Sequence, residues 1–146
     1  MIVLDTTVLV YAVGAAHPLS EPCRGIVDAV ANGRVTATTT VEVIQEFAHV
    51  RARRRDRSDA ASLARSYSAL LAPLLVVDEA ILERGLGLFA GNEVLGAFDA
   101  VLAAAAIECS VDALVSADRA FASVGGLRYL HPGDWSPTSP PAGASS

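Results

Sequence analysis

Short apolar, β-branched runs alternate along this chain with stretches of helical periodicity, and few folds accommodate that order. Residues 3–4, 34–38, 74–77, 113–115 and 127–129 read as strands. The segment TTVLVYAV after the first strand reads as a short helix. Residues 19–31 carry Cys23, Ile26, Val27 and Val30 at helical spacing, with Ser20 as N-cap, Pro22 in the first turn and Asn32-Gly33 as the stop. A further helix is expected from Thr39 or Thr40 through VEVIQEFAHVRARR, and another over 58–71, capped by Ser58 and Asp59 and stopped by Pro73. Asp78 caps one that runs from Glu79 to about Phe89, and an Ala-rich helix follows over 97–109. This alternation predicts an α/β fold, a parallel sheet covered on both faces, with its ligand site at the carboxyl ends of the strands.

At 146 residues and 52% apolar, the chain fits one domain with a sizeable core. Its two cysteines, Cys23 and Cys109, show neither metal-site spacing nor the density of a disulfide scaffold, which points to a reducing, cytoplasmic home. The first apolar stretch is broken by Asp5 before it could serve as a signal-peptide core. The longest apolar runs, 69–77 and 100–107, fall short of the roughly 20 residues a membrane crossing needs. After His131 the composition changes to PGDWSPTSPPAGASS, so that 1–132 reads as the domain and 133–146 as a disordered tail.

Four acids stand where charge is least expected. Asp5 follows the first strand directly, and Asp118 repeats that geometry after ALVSA. Glu46 lies at the edge of the Val43, Ile44, Phe47 and Val50 stripe at ~100° per residue, whereas Glu42 points away and should be solvated. Asp99 is the lone charge of GAFDAVLAAAAI. Each has an ordinary reading as a cap, turn or surface acid. Gathered at one sheet edge, however, they would raise one another's pKa. A hard divalent cation removes that cost, and Mg²⁺ or Mn²⁺ prefers oxygen ligands. His17, His49 and His131 are too scattered for zinc. Such a centre suits attack of an activated water on a phosphodiester.

The net charge of −5 argues against a nucleic-acid partner until its distribution is considered. All eleven basic residues are Arg, and five of them, Arg51, Arg53, Arg54, Arg55 and Arg57, fall in RARRRDR, just after the helix that bears Glu46. A phosphate backbone could lie along them, and a solvated helix end is the plain alternative.

The segments VLDTTVLVY, VIQEFAHV, FDAVLAAAA and LVSADRAF resemble, in order and spacing, the four acidic motifs of PIN-domain ribonucleases, more narrowly the VapC toxins of bacterial VapBC toxin–antitoxin modules. The resemblance implies a three-layer α/β/α sandwich around a central, mostly parallel sheet of four to five short strands. It also implies Mg²⁺-dependent endonucleolytic cleavage of RNA, a homodimer, and a cognate VapB-type antitoxin whose C-terminal segment lies across the site. Carried over, Asp5, Glu46, Asp99 and Asp118 match the catalytic acids, with Asp5, Asp99 and Asp118 on the metal and Thr7 and Ser116 as supporting hydroxyls. A PIN nuclease of RNA processing or repair, and a noncatalytic RNA-binding or protein-binding domain, are the other readings.

Overall fold

The computed structural model describes residues 1–138. In chain order the elements are β1 (Ile2–Leu4), α1 (Thr6–Val13), α2 (Ser20–Ala31), β2 (Ala37–Thr38), α3 (Val41–Arg54), α4 (Arg57–Leu70), α5 (Glu79–Ala90), α6 (Ala97–Glu108), β3 (Ala113–Val115) and β4 (Tyr129–Leu130). Short 3-10 turns cover Arg119–Ser123 and Pro132–Asp134. The strands form one parallel sheet in the order β2-β1-β3-β4. Every residue of β1 and β3 is buried. Because alternate side chains point to opposite faces, both faces of the sheet are covered, as the α/β/α expectation requires. The strand order reverses between β1 and β3, and the crevice at their carboxyl ends is where a sheet of this kind opens to a ligand.

Local chemistry explains where the elements differ from the sequence reading. Helix α2 ends at Asn32-Gly33 as expected: Gly33 has φ +71 and its N–H reaches the Val30 carbonyl. The amides of Arg34 and Val35 then fold back onto the Ala29 carbonyl, so β2 begins only at Ala37. Ser20 is not a cap; Leu19 holds that position, and the Ser20 hydroxyl donates to Ala15 O at 3.3 Å. Asp56, not Ser58 or Asp59, caps α4. The strand expected over 74–77 reduces to one bridge, Leu75 with Thr40, because Thr40 already turns the chain into α3 as its N-cap and leaves no edge to pair with. Of the tail expected over 133–146, Gly133 and Asp134 complete a 3-10 turn begun at Pro132 and Trp135 packs on the core, while residues 139–146 lie outside the described residues.

The core is filled by β1, β3 and the small-residue face of α6, with Phe47 edge-on to Tyr67 at 5.0 Å. Ala100 and Ala103 to Ala106 are buried. The α5–α6 contact is closer still, since a Cβ on Gly85 would stand 2.7 Å from the Cα of Val101, a backbone atom that cannot swing aside. Gly85→Ala is therefore expected to destabilise the fold by roughly 1–3 kcal/mol, the usual cost of overpacking, although Ala is the better helix former. A chemical melt in which this variant matches the parent would show that the two helices can separate freely.

Candidate active site

Asp5 leaves the end of β1 and caps α1, and it is almost fully buried. Its backbone N–H still continues the ladder to Val115 O at 3.0 Å, so the sheet fixes its position. Its Oδ2 accepts from the Ser116 hydroxyl at 2.6 Å and the Thr7 hydroxyl at 2.9 Å. The same hydroxyls tie down the turn after β3. The Ala117 N–H donates to Thr7 Oγ1 and the Asp118 N–H to Ser116 Oγ, each at 3.0 Å. The strand-end turns carrying Asp5 and Asp118 are thus stitched together by the two hydroxyls expected to support them.

Glu46 reaches the same region from α3, where its Oε2 accepts from the Thr6 hydroxyl at 2.6 Å. Asp99 stands in the first turn of α6 and is partly buried. Asp118 is exposed, and its Oδ1 caps the following 3-10 turn through the Ala120 N–H at 2.9 Å. A cavity of about 340 Å³ joins them, lined by Asp5, Thr7, Glu46, Arg54, Asp99 and Asp118 among others. A second hollow of about 440 Å³ shares Asp5, Glu46 and Asp99 but is mostly apolar, with Leu82, Leu86 and Phe98 on its walls.

Electrostatics bears the mark of crowding. Burial raises the Asp5 carboxyl above its ordinary range, against the Ser116 and Thr7 hydrogen bonds that favour its charged form. Asp99 is pushed up to about 7, first by burial and then by the charges of Asp5, Asp118 and Glu46. A pocket whose acids hold each other partly protonated stabilises positive charge brought among them.

The acids and hydroxyls that converge offer only oxygen ligands, the set a hard divalent ion prefers, with no Cys or His among them for a softer metal. Among the described residues no three His, Cys, Asp or Glu side chains form a ready-made chelate. The arrangement suits an ion such as Mg²⁺, which keeps much of its water and needs only one or two direct carboxylates. On that donor chemistry the residues fit such an ion.

The arginines divide. Arg51 is committed to the fold: its Nε donates to Asp59 Oδ2 at 2.7 Å and its Nη1 to Val13 O at 3.2 Å. Arg54 lines the acidic cavity; Arg53, Arg55 and Arg57 are exposed outside it. Glu42, expected in solvent, instead lines the apolar hollow with Oε2 enclosed and without a hydrogen-bond partner, because α3 begins against the α5–α6 side. Thr6 was not singled out by sequence reasoning. The Thr-Thr doublet after Asp5 was the available signal, since a buried hydroxyl beside an acid motif needs an acceptor.

The PIN domain family model matches residues 2–127. Ribonuclease VapC7 of Mycobacterium tuberculosis is 57% identical over 136 residues, covering 90% of this chain and 92% of that protein. Ribonuclease VapC13 of the same organism is 28% identical over 138 residues, covering 89% of this chain and 99% of its own length. No helix of the described residues is long and apolar enough to cross a membrane.

Proposed function

The chain belongs to the PIN domain family, and from that premise we propose that it is a VapC-type toxin, a divalent-metal-dependent endoribonuclease held silent by a VapB-type antitoxin. The observation that carries this reading is the meeting of Asp5, Glu46, Asp99 and Asp118 around one cavity, with Asp99 raised to about 7 by burial and then by its neighbours' charge. Asp5, Asp99 and Asp118 would hold the ion, directly or through its waters, Mg²⁺ with Mn²⁺ as a substitute, and Glu46, fixed by Thr6, completes the negative wall. The bound ion supplies an activated water and neutralises charge on the leaving oxygen. Thr7 and Ser116 keep Asp5 from turning away from the cavity, and burial of Asp5 excludes bulk water from its contacts.

RNA is the substrate, and Arg54 is the phosphate contact nearest the chemistry, since it faces the acids across the same cavity. Arg53, Arg55 and Arg57 extend that basic edge outward. The apolar hollow beside the acids, with Leu82, Leu86 and Phe98, suits an antitoxin segment carrying apolar side chains and a cationic one. Phe89 and Val94, exposed outside that hollow, are available to a second copy in a homodimer, which sedimentation of the purified chain would reveal. The free cysteines, buried Cys23 and exposed Cys109, accord with a cytoplasmic setting.

Chelation is the direct test. The purified chain should cleave single-stranded RNA with Mg²⁺ and stop when EDTA is added; cleavage that continues in EDTA rules the mechanism out. In the same assay Arg54→Ala should raise KM roughly five- to tenfold with kcat within about twofold, and flatten the salt dependence by about one unit of log–log slope. An unchanged slope would remove Arg54 from the phosphate path.

A further inference from the structure

The ladder between β3 and β4 fails one step past the sheet, at the residue that grips Asp5. Leu114 pairs with Tyr129 and Val115 with Leu130. The Leu114 N–H donates to Arg128 O at 2.9 Å, and the Ser116 N–H to Leu130 O at 3.1 Å. In the evenly spaced parallel pattern the next bond runs from the N–H of residue 132 to the Ser116 carbonyl. Residue 132 is proline and has no N–H to give. The Tyr129 side chain fills the gap, its phenol donating to Ser116 O at 2.9 Å. The ring is held for this by stacking on fully buried Phe121, centroids 6.4 Å apart and planes 20° from parallel. Burial raises the phenol above its ordinary range, so it remains a donor at neutral pH.

We propose that Tyr129 is a positioning residue of the acidic site: by replacing the ladder bond that Pro132 cannot make, it fixes the Ser116 peptide and so aims the Ser116 hydroxyl at Asp5. Ser116 is fully buried and sits between two of the acids, donating to Asp5 at 2.6 Å and accepting from the Asp118 N–H at 3.0 Å. Without the phenol, that peptide is held only at its other end, by the Ala117 N–H on Thr7 Oγ1, and both Ser116 contacts loosen together. The consequence falls on how well the carboxylates are arranged for a cation, and it rests on the reading of this pocket as a divalent-ion site.

The test is Mn²⁺ affinity of the full chain, read from the free-ion signal in electron paramagnetic resonance, so that no turnover is needed. Tyr129→Phe keeps the ring and should bind Mn²⁺ about three- to tenfold more weakly, less than the loss usual for a direct neighbour of a ligand because it acts through Ser116. Tyr67→Phe is the control: it deletes a similar phenol-to-carbonyl bond, to Leu9 O at 3.1 Å, away from Ser116, and should bind within about twofold of the parent. Adding Pro132→Ala to Tyr129→Phe returns an N–H to the broken rung and should bring affinity back to within about twofold of the parent. The proposal is overturned if Tyr129→Phe binds as the parent does, if Tyr67→Phe loses as much, or if the double variant shows no recovery. A parent chain that binds no Mn²⁺ refutes the metal reading itself, a different failure from a parent that binds and a Tyr129 variant that matches it.

Discussion

Asp5→Asn should lower RNA cleavage by roughly 10²- to 10³-fold or more at saturating Mg²⁺, and abolish growth arrest on expression, while the metal-free protein melts no lower than the parent. The two halves of that result have one cause. Asp5 Oδ2 is held by the Ser116 and Thr7 hydroxyls, and an Asn carbonyl oxygen can take the same bonds without moving the strand end. What the substitution removes is the charge. The folded-state pKa of Asp5 lies above the unfolded value of 3.8, so at neutral pH its ionised form opposes folding, and a neutral amide relieves that opposition. A carboxylate kept at this cost is explained by what it binds. Cleavage within tenfold of the parent, measured at equal metal concentration on a variant shown to be folded, would remove Asp5 from the mechanism. A large drop in melting temperature would show that its role is structural.

The acids were legible in the sequence because each is a charge set against a strongly apolar background, and the strand-end placement of Asp5 and Asp118 follows from the three-residue reach of IVL and ALV into the sheet. The parallel order was legible for the same reason, through alternation of element types. What escaped depends on pairing between distant segments. Arg51 looks like any member of RARRRDR until α4 folds back and brings Asp59 to its guanidinium. Glu42 looks solvated on a helical wheel, which contains only its own helix and not the α5–α6 side facing it. Residues 74–77 have strand composition, yet a strand needs an edge, and Thr40 had already left the sheet. The role of Tyr129 depends on the β4 register and on Pro132 falling at the next rung, a relation no local pattern carries.

Without metal, this protein should lose stability as pH rises, and a divalent cation should return it. Asp99 drives the effect. Its folded-state pKa, about 7, exceeds the unfolded 3.8, so between those values the folded chain holds a proton that the unfolded chain has released. Stability therefore falls with rising pH across that window and levels off above it, the reverse of a salt-bridged carboxylate. Over three pH units the shift would amount to about 4 kcal/mol. Because Asp99 is only partly buried, solvent screening reduces this to roughly 1–2 kcal/mol. Protons and metal compete for the same carboxylates, so the ion gains affinity as they leave. At a hundred times its Kd, Mn²⁺ should stabilise the fold by about 2.7 kcal/mol at pH 8, on the order of 5–10 °C for a chain of this size, and by much less at pH 5.5. Melting curves of the parent and Asp99→Asn with and without Mn²⁺ separate the contributions, since the difference between the two chains cancels every titrating group outside the acidic cluster. The variant's metal-free curve should be flatter with pH and its response to Mn²⁺ smaller. Equal Mn²⁺ shifts at pH 5.5 and pH 8 would mean that these carboxylates are not where the ion binds.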